Sequence, residues 1–330
     1  MAIRRHLIRL IVLAFAGSAG PLCAGQIELA LPIACEVGQT CLIQNYVDHD
    51  PSGNARDYAC GGQTYDGHNG IDIRLPSMAQ QRAGVAVRAA ADGVVLRTRD
   101  AMPDISVREI GLDQVKGREC GNGVIVRHSD GFESEYCHMA RGSLQVKPGD
   151  VVKAGQPLGS VGLSGRTEFA HLHFTLRRNG NVIDPFAYEA DDTACNGGTS
   201  LWDSKLAAAL AYRPIAILNK GFAVQPVTPE QIEAGDMAAP AGADVPNLVA
   251  YVRAISLRAG DVQRLVVFDP DGNTLASNAI APLARNNAQY SITTGRKRPP
   301  EGWKPGIYRA TYRVERDGAP VIEETFQIRL

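Results

Sequence analysis

Four histidines and one aspartate follow a pattern that could hold a metal ion. His68 precedes Asp72 by four residues, His171 and His173 stand two apart, and His138 lies between these two groups. Imidazole nitrogens and carboxylate oxygens are ligands that zinc takes, and a catalytic zinc site uses about three of them and leaves one position open. The set therefore supplies three ligands and two further imidazoles, which could move protons or stabilise an oxyanion.

Short strands are the elements predicted to position these side chains. Asn69-Gly70 favours a turn, and a strand over residues 71–75 follows it. A second strand over residues 171–176 carries two histidines that share one face, because side chains alternate along a strand. A third histidine ends a strand over residues 133–138, which is the second half of a predicted hairpin. Alternation alone does not decide which histidine of the closely spaced pair binds the metal.

Other metal-site patterns are excluded by the same sequence. It contains no His-Glu-x-x-His, so the helix-based zincin arrangement is ruled out. It contains no Cys-x-x-Cys, which argues against a thiolate zinc knuckle and against the zinc deaminase signature. The net charge of −1 at pH 7 gives no indication of nucleic-acid binding or of electrostatic attachment to a membrane.

Four segments in this order resemble the lysostaphin-type (LytM-like) metallopeptidases, over roughly residues 68–186. The segments are His68-Asn-Gly-Ile-Asp72, Tyr136-Cys-His138-Met139, the Gly- and Pro-rich run at 146–159, and His171-Leu-His173-Phe174. Each motif is weak by itself, and the combination is specific.

The resemblance implies a role for each of the five residues. His68, Asp72 and His173 correspond to the zinc ligands, whereas His138 and His171 correspond to the catalytic histidines. It also implies hydrolysis of peptide bonds in the stem peptides or cross-links of bacterial peptidoglycan. All five positions are filled in this chain, whereas some relatives of the family have lost ligands and regulate other hydrolases.

Four features leave the extent of the site open. Thr175 stands where a glutamate often follows in the family, and we expect little effect on the chemistry because it lies outside the five. The insertion at residues 100–119 is either a lid or binding loop or a solvated excursion. His128 could line the groove, but a packed or surface position is favoured. His49, between two aspartates, is interpreted as a solvated loop residue.

The N-terminus predicts export. Arg4 and Arg5 precede an apolar stretch at residues 7–16 and then small residues, which is the order of a signal peptide over residues 1–24. The apolar stretch is too short for a membrane anchor, which needs about 20 residues. Lipid attachment at Cys23 is a second alternative. The expected location is periplasmic or secreted.

The cysteines agree with an oxidising compartment. Six remain after residue 24, an even number that indicates disulfides in an exported chain. Cys35 and Cys41 are close enough to pair locally, and the pairing of the other four stays open. All six precede residue 196, so the disulfides belong to the first predicted domain.

The predicted fold class is all-β. A zinc peptidase domain at residues 25–198 forms a small antiparallel sheet, and an accessory domain at residues 199–330 forms an Ig-like β-sandwich. A short Ala-rich helix is expected at residues 204–212 and a loop-like linker at 226–246.

The sequence favours a metalloendopeptidase that acts on peptidoglycan. A secreted peptidase that cuts Gly- or Ala-rich peptides of other proteins stays open, because the same chemistry would serve it. Two further classes are not enzymes. One is a non-enzymatic regulator or binding protein of the cell envelope that retains zinc. The other is a structural envelope module in which the histidines bind metal only for stability. The accessory domain is expected to bind an envelope protein or glycan, and no nucleic acid or membrane span is expected. The bond that is cleaved is not determined by the sequence.

Overall fold

A computed structural model of the protein describes residues 27–191 and 194–330. The predicted signal peptide at residues 1–24 therefore lies outside the described residues. No helix in the described ranges is long and apolar enough to cross a membrane. The described elements are strands and a few short helices, which confirms the predicted all-β class.

The N-terminal half contains ten strands, two short α-helices and a 3-10 helix at Leu112–Val115 among its described residues. The strands are β1 (Leu42–Asn45), β2 (Ile71–Arg74), β3 (Ala86–Arg88), β4 (Gly93–Arg99), β5 (Asn122–Arg127), β6 (Phe132–Met139), β7 (Val151–Val152), β8 (Pro157–Ser160), β9 (His171–Arg178) and β10 (Asn181–Ile183). The helices are α1 (Met78–Ala83) and α2 (Val107–Ile110).

These strands form one large antiparallel sheet and one small one. The large sheet has the order β1-β2-β9-β6-β5-β4-β7, with β10 paired to β9, while β3 pairs with β8. Strand β9 lies between β2 and β6, and its His173 is directly opposite Asp72 on one side and Cys137 on the other. Strand pairing therefore brings together residues that lie far apart in sequence.

The first hydrophobic core explains which side chains face the site. Leu172 and Phe174 of β9 are fully buried in this core. Since side chains alternate along a strand, His171 and His173 project from the opposite face. The predicted hairpin of β5 and β6 is confirmed by its antiparallel pairing.

The C-terminal half contains seven strands and one helix among its described residues. They are β11 (Ala216–Ala223), α3 (Pro229–Ala234), β12 (Asn247–Leu257), β13 (Val262–Phe268), β14 (Thr274–Ile280), β15 (Asn287–Lys297), β16 (Ile307–Arg316) and β17 (Ala319–Arg329). One sheet has the order β11-β12-β15 and the other β14-β13-β16-β17. A second hydrophobic core draws residues from both sheets, which makes this half a β-sandwich.

Two local predictions in this half are wrong. The expected helix over 204–212 is only a 3-10 turn at Ser204–Leu206, because helix propensity is weak over so short a segment and Leu210 packs into the first core. The expected loop at 226–246 contains α3, which Thr228 and Gln231 begin with a reciprocal capping box. The domain boundary predicted at residue 198 stays a prediction. Leu201, just after it, still packs into the first core, and the first residue of the second core is Ile215.

Three disulfides join parts of the N-terminal half. The local bond between Cys35 and Cys41 is present as expected. The pairs that the sequence left open are Cys60–Cys195 and Cys120–Cys137. The last of these fixes the end of β6 to the segment that follows the insertion.

Candidate metal centre

Three donor atoms from β2, β9 and the turn before β2 converge on one point. Nε2 of His68 lies 3.2 Å from Oδ1 of Asp72 and 3.2 Å from Nδ1 of His173. The third side of this triangle, from Nδ1 of His173 to Oδ1 of Asp72, measures 2.9 Å. All three side chains are largely buried.

The N–H group of each imidazole in this triangle points away from its centre. Nδ1 of His68 donates to the carbonyl oxygen of Tyr46 at 2.6 Å. Nε2 of His173 lies 3.2 Å from Oδ1 of Asn69 and 3.0 Å from Oγ1 of Thr175. A carbonyl oxygen only accepts, so these nitrogens carry the protons in the neutral rings. The nitrogens that face the centre are therefore the ones with lone pairs.

The donor set fits a bound metal ion. Two nitrogen lone pairs and a carboxylate oxygen face one another at about the distance of a hydrogen bond, although none of them has a proton to donate in this tautomer. Such an arrangement is repulsive unless a positive charge lies between the donors, either a metal ion or a proton on Nε2 of His68. Burial lowers the pKa of His68, but the carboxylate of Asp72 outweighs it and raises that pKa. Oδ2 of Asp72 also accepts from Nδ2 of Asn45 at 2.7 Å, which orients the carboxylate.

The other two histidines lie beside this triangle. The rings of His138 and His171 are 4.6 Å apart between their centroids. Nδ1 of His138 donates to the carbonyl of Ser164 at 2.8 Å, and Nδ1 of His171 donates to the carbonyl of Phe169 at 3.0 Å. Their Nε2 atoms are therefore the basic atoms, and that of His171 lies 3.4 Å from Oδ1 of Asp72.

Burial and mutual charge set the protonation of the cluster. Burial, reinforced by the nearby His171 and His173, holds the pKa of His138 well below its usual range, so this ring is neutral at pH 7. Burial by itself would raise the pKa of Asp72, but His68 and His171 outweigh it and hold that pKa well below its usual range. The carboxylate is therefore ionised and available as a ligand.

The backbone has an uncommon conformation at His138 and leaves no room for a side chain at Gly70. His138 has a φ of 60°, which is uncommon for a residue other than glycine, and its amide donates to the carbonyl of Cys120 at 2.8 Å. The disulfide between Cys120 and Cys137 holds both sides of this bond. At Gly70, a Cβ atom would lie 2.7 Å from Nε2 of His173, so only glycine allows this close approach.

A groove of about 1550 Å³ contains the cluster. One wall is the loop between β1 and β2, and another is the insertion, which contributes Arg108 and Leu112. Asp104 holds the insertion in place by accepting from the amides of Arg141 and Leu163 at 2.8 Å each. The insertion is thus docked against the domain and forms one wall of the groove.

A third wall comes from the C-terminal half, which the sequence did not predict. Leu257, Arg258 and Asn287 of the sandwich line the groove. No sequence signal connects these residues with the histidines, because the approach of the two halves depends on tertiary packing.

The other histidines lie apart from the donor triangle. His128 is buried and bonded to the carbonyl of Asp92 at 2.8 Å and to Ser134 at 2.7 Å, in agreement with the packed alternative. His49 pairs with the buried Asp184 at 2.8 Å, so its interpretation as a solvated loop residue is wrong. The bond to this carboxylate holds the imidazole of His49 in a largely buried position.

Three further side chains hold the donors. The sequence indicated no role at the site for Asn45 and Asn69, which bond directly to the donor residues, and Thr175 reaches the ring of His173 although little effect on the chemistry was expected from it. A signal was present for Thr175, since it lies two residues after His173 and shares its strand face.

A comparison with protein families identifies the segment that carries the cluster. A family model described as peptidase family M23 matches residues 66–185. This segment is similar to peptidase family M23. The M23 domain contains all five residues of the cluster, and the predicted resemblance to a metallopeptidase family is confirmed.

Two curated relatives share this M23 domain. DD-carboxypeptidase/endopeptidase Mpg of Neisseria meningitidis serogroup B is 33% identical over 120 residues, which cover 36% of this chain and 22% of that protein. The murein hydrolase activator NlpD of Escherichia coli is 31% identical over 127 residues, which cover 38% of this chain and 27% of that protein. The chain thus spans about a quarter of the length of these relatives.

A solved structure also aligns with the M23 domain. The catalytic domain of the prophage-encoded M23 protein EnpA from Enterococcus faecalis is 26% identical and covers 48% of this chain and 98% of that chain, with a TM-score of 0.32.

Proposed function

We propose that the protein is an exported zinc metalloendopeptidase that hydrolyses peptide bonds in the stem peptides or cross-links of peptidoglycan. The observation that carries this proposal is the convergence of His68, Asp72 and His173 on one point, with the basic atoms of two more imidazoles beside it. Similarity to the M23 family and the names of the relatives Mpg and NlpD support a role at the cell wall.

Zinc suits the donor triangle better than a larger ion does. Zinc–nitrogen and zinc–oxygen bonds of about 2.0–2.1 Å in a tetrahedral site place neighbouring ligand atoms about 3.3 Å apart. The three sides of the triangle measure 2.9, 3.2 and 3.2 Å. Two imidazoles and one carboxylate are also the ligand types of known zinc hydrolases.

The protein's own residues would supply the proton transfers. When bound, zinc would polarise a peptide carbonyl and lower the pKa of water to about 7. The neutral ring of His138 can take up a proton at Nε2, because Nδ1 is already bonded to Ser164. In its doubly protonated form, His171 would donate from Nε2 to the carbonyl oxygen as negative charge develops, while Nδ1 stays bonded to the carbonyl of Phe169 and the Asp72 carboxylate lies 3.4 Å from Nε2.

A regulator of other hydrolases is the second candidate function. The similarity to the relative named as a murein hydrolase activator favours it. The two candidates make different demands on His138 and His171, because a regulator does not need proton transfer at either ring.

Digestion of isolated cell-wall sacculi separates these candidates. The purified protein should release peptide fragments in the presence of zinc, and a chelator should stop the release. Mass spectrometry of the fragments would identify the bond. If no fragment appears at any pH although zinc is bound, the peptidase proposal is wrong, and stimulation of a separate hydrolase would then support the regulator.

Replacement of Thr175 by valine is expected to weaken zinc binding about tenfold. Valine keeps the β-branched shape but removes the hydroxyl that lies 3.0 Å from Nε2 of His173. Groups that orient a ligating imidazole typically contribute 10- to 100-fold to metal affinity, and Asn69 would retain part of this effect. Competition with a chromophoric chelator measures the change, and an unaltered affinity would show that Thr175 does not orient the ligand.

A further inference from the structure

The two halves of the protein are packed together beside the candidate site. Leu42 of β1 forms an apolar cluster with Leu218 of β11 and Ile255 of β12. Gln63, from the loop that precedes His68, donates to the hydroxyl of Ser256 at 2.8 Å. The sandwich therefore contacts the strand and the loop that lead to the donor triangle.

Arg74 is the most deeply buried cation at this contact. Arg74 is 0% exposed, and its side chain lies on the same face of β2 as that of Asp72, two residues before it. Nη1 donates to Gln44 at 2.6 Å, while Nη2 donates to Gln289 of the sandwich at 2.9 Å and to Glu233 at 2.6 Å.

Glu233 of α3 forms ion pairs with two buried guanidinium groups through one carboxylate oxygen. Its Oε2 accepts from Arg74 and also from Arg253 of β12, which is 1% exposed. Arg253 in turn donates to the carbonyl of Pro76 at 2.6 Å, just after β2. Loss of the carboxylate would leave two buried like charges close together, which is strongly unfavourable.

Contacts continue from Arg74 to a histidine of the site. Its guanidinium carbon lies 3.9 Å from the centre of the Phe169 ring. The carbonyl of Phe169 accepts from Nδ1 of His171 at 3.0 Å, and Arg74 is directly opposite His171 in the pairing of β2 with β9. The orientation of the imidazole thus depends on the position of Phe169, which Arg74 supports.

We propose that Glu233 is a positioning residue, which holds Arg74 against Phe169 and thereby sets the orientation of His171. The C-terminal half is then part of the catalytic unit and not a detachable accessory. The expected effect on kcat rests on the proposed peptidase function. The effect on the orientation of the His171 ring does not depend on that function.

Steady-state kinetics on a soluble peptidoglycan peptide provide the first test. Replacement of Glu233 by glutamine should lower kcat about 10- to 100-fold with little change in KM or zinc content, because small displacements of a catalytic group have effects of this size. Replacement by aspartate should restore part of kcat. A kcat within twofold of wild type in the folded glutamine variant would overturn the proposal.

An exposed ion pair between the two halves of the protein provides a matched control. Arg82 of α1 pairs with Asp236, just after α3, but both side chains are at least half exposed. Replacement of Asp236 by asparagine should leave kcat unchanged, since exposed ion pairs contribute little. If the Glu233 variant does not fold, replacement of Gln289 by alanine removes one bond to Arg74 and should lower kcat about threefold; wild-type kcat there would overturn the proposal.

The second test does not depend on turnover. In the metal-free full-length protein, ¹H–¹⁵N spectra of the histidine rings should show Nδ1–H of His171 displaced in the Glu233→Gln variant and unmoved in the Asp236→Asn variant. An unmoved signal in both would overturn the proposal even if the wild type has no peptidase activity. Failure of the proposed function would appear separately, as absence of turnover in the wild type.

Discussion

Replacement of His138 by alanine is expected to lower the turnover of peptidoglycan peptides about 1000-fold while zinc stays bound. Proton transfer by a positioned side chain contributes about 10²- to 10⁴-fold to a rate. His138 lies beside the donor triangle without belonging to it, since its ring is 4.6 Å from that of His171 between the centroids and its Nδ1 is bonded to the carbonyl of Ser164. Turnover and the zinc content of the same sample measure the two parts of this prediction.

A histidine outside the groove provides the control for this variant. His128 is buried in the same hairpin as His138, directly after β5, and is bonded to Ser134. Its replacement by alanine should lower the thermal stability, while turnover per folded molecule and zinc content remain those of the wild type. Near-normal turnover by the His138 variant would remove this residue from the mechanism and favour the regulator.

Replacement of Asp72 by asparagine is expected to lower the affinity for zinc more than about 100-fold. Groups that merely orient a ligand already contribute 10- to 100-fold, and Asp72 supplies the only negative charge of the donor triangle formed with His68 and His173. The neutral amide keeps the shape of the side chain but cannot offset the charge of the ion. Calorimetric titration with zinc measures the loss.

Thermal unfolding gives an independent readout of the same variant. A ligand at 1000 times its dissociation constant stabilises the folded state by about 4.1 kcal/mol, so zinc should raise the Tm of the wild type and not that of the Asp72 variant. The exposed Asp66, two residues before His68, supplies the matched control, and its replacement by asparagine should preserve the rise. A zinc-dependent rise in the Asp72 variant would place the metal elsewhere.

The sequence predicted the strands of the structure better than its helices. The hairpin of β5 and β6 and the strand at Val262–Phe268 follow from alternation and turn residues. The helix expected at 204–212 is only a 3-10 turn at Ser204–Leu206, because helix nucleation is unfavourable over so short a segment. The helix at Pro229–Ala234 could have been predicted from its capping box, since that signal is local.

The candidate site also contains one part that the sequence predicted and one part that it did not. The five polar residues are recognisable from their spacing, and the resemblance assigned a role to each. The sequence did not indicate that Asn45 orients Asp72 or that Thr175 contacts His173, because these contacts depend on strand register and side-chain direction.

The sequence by itself determined the residue types that can bind a metal, their order along the chain and the strand periodicity that gives His171 and His173 a common face. Only the tertiary structure decided that Nδ1 of His173 lies within 3.2 Å of Nε2 of His68 and 2.9 Å of Oδ1 of Asp72. It also decided that the sandwich lines the same groove and that Glu233 pairs with Arg74. The physical reason is the range of the forces. Alternation and turn geometry act over a few residues, whereas convergence of donors and burial of charge depend on the packing of elements that are distant in sequence.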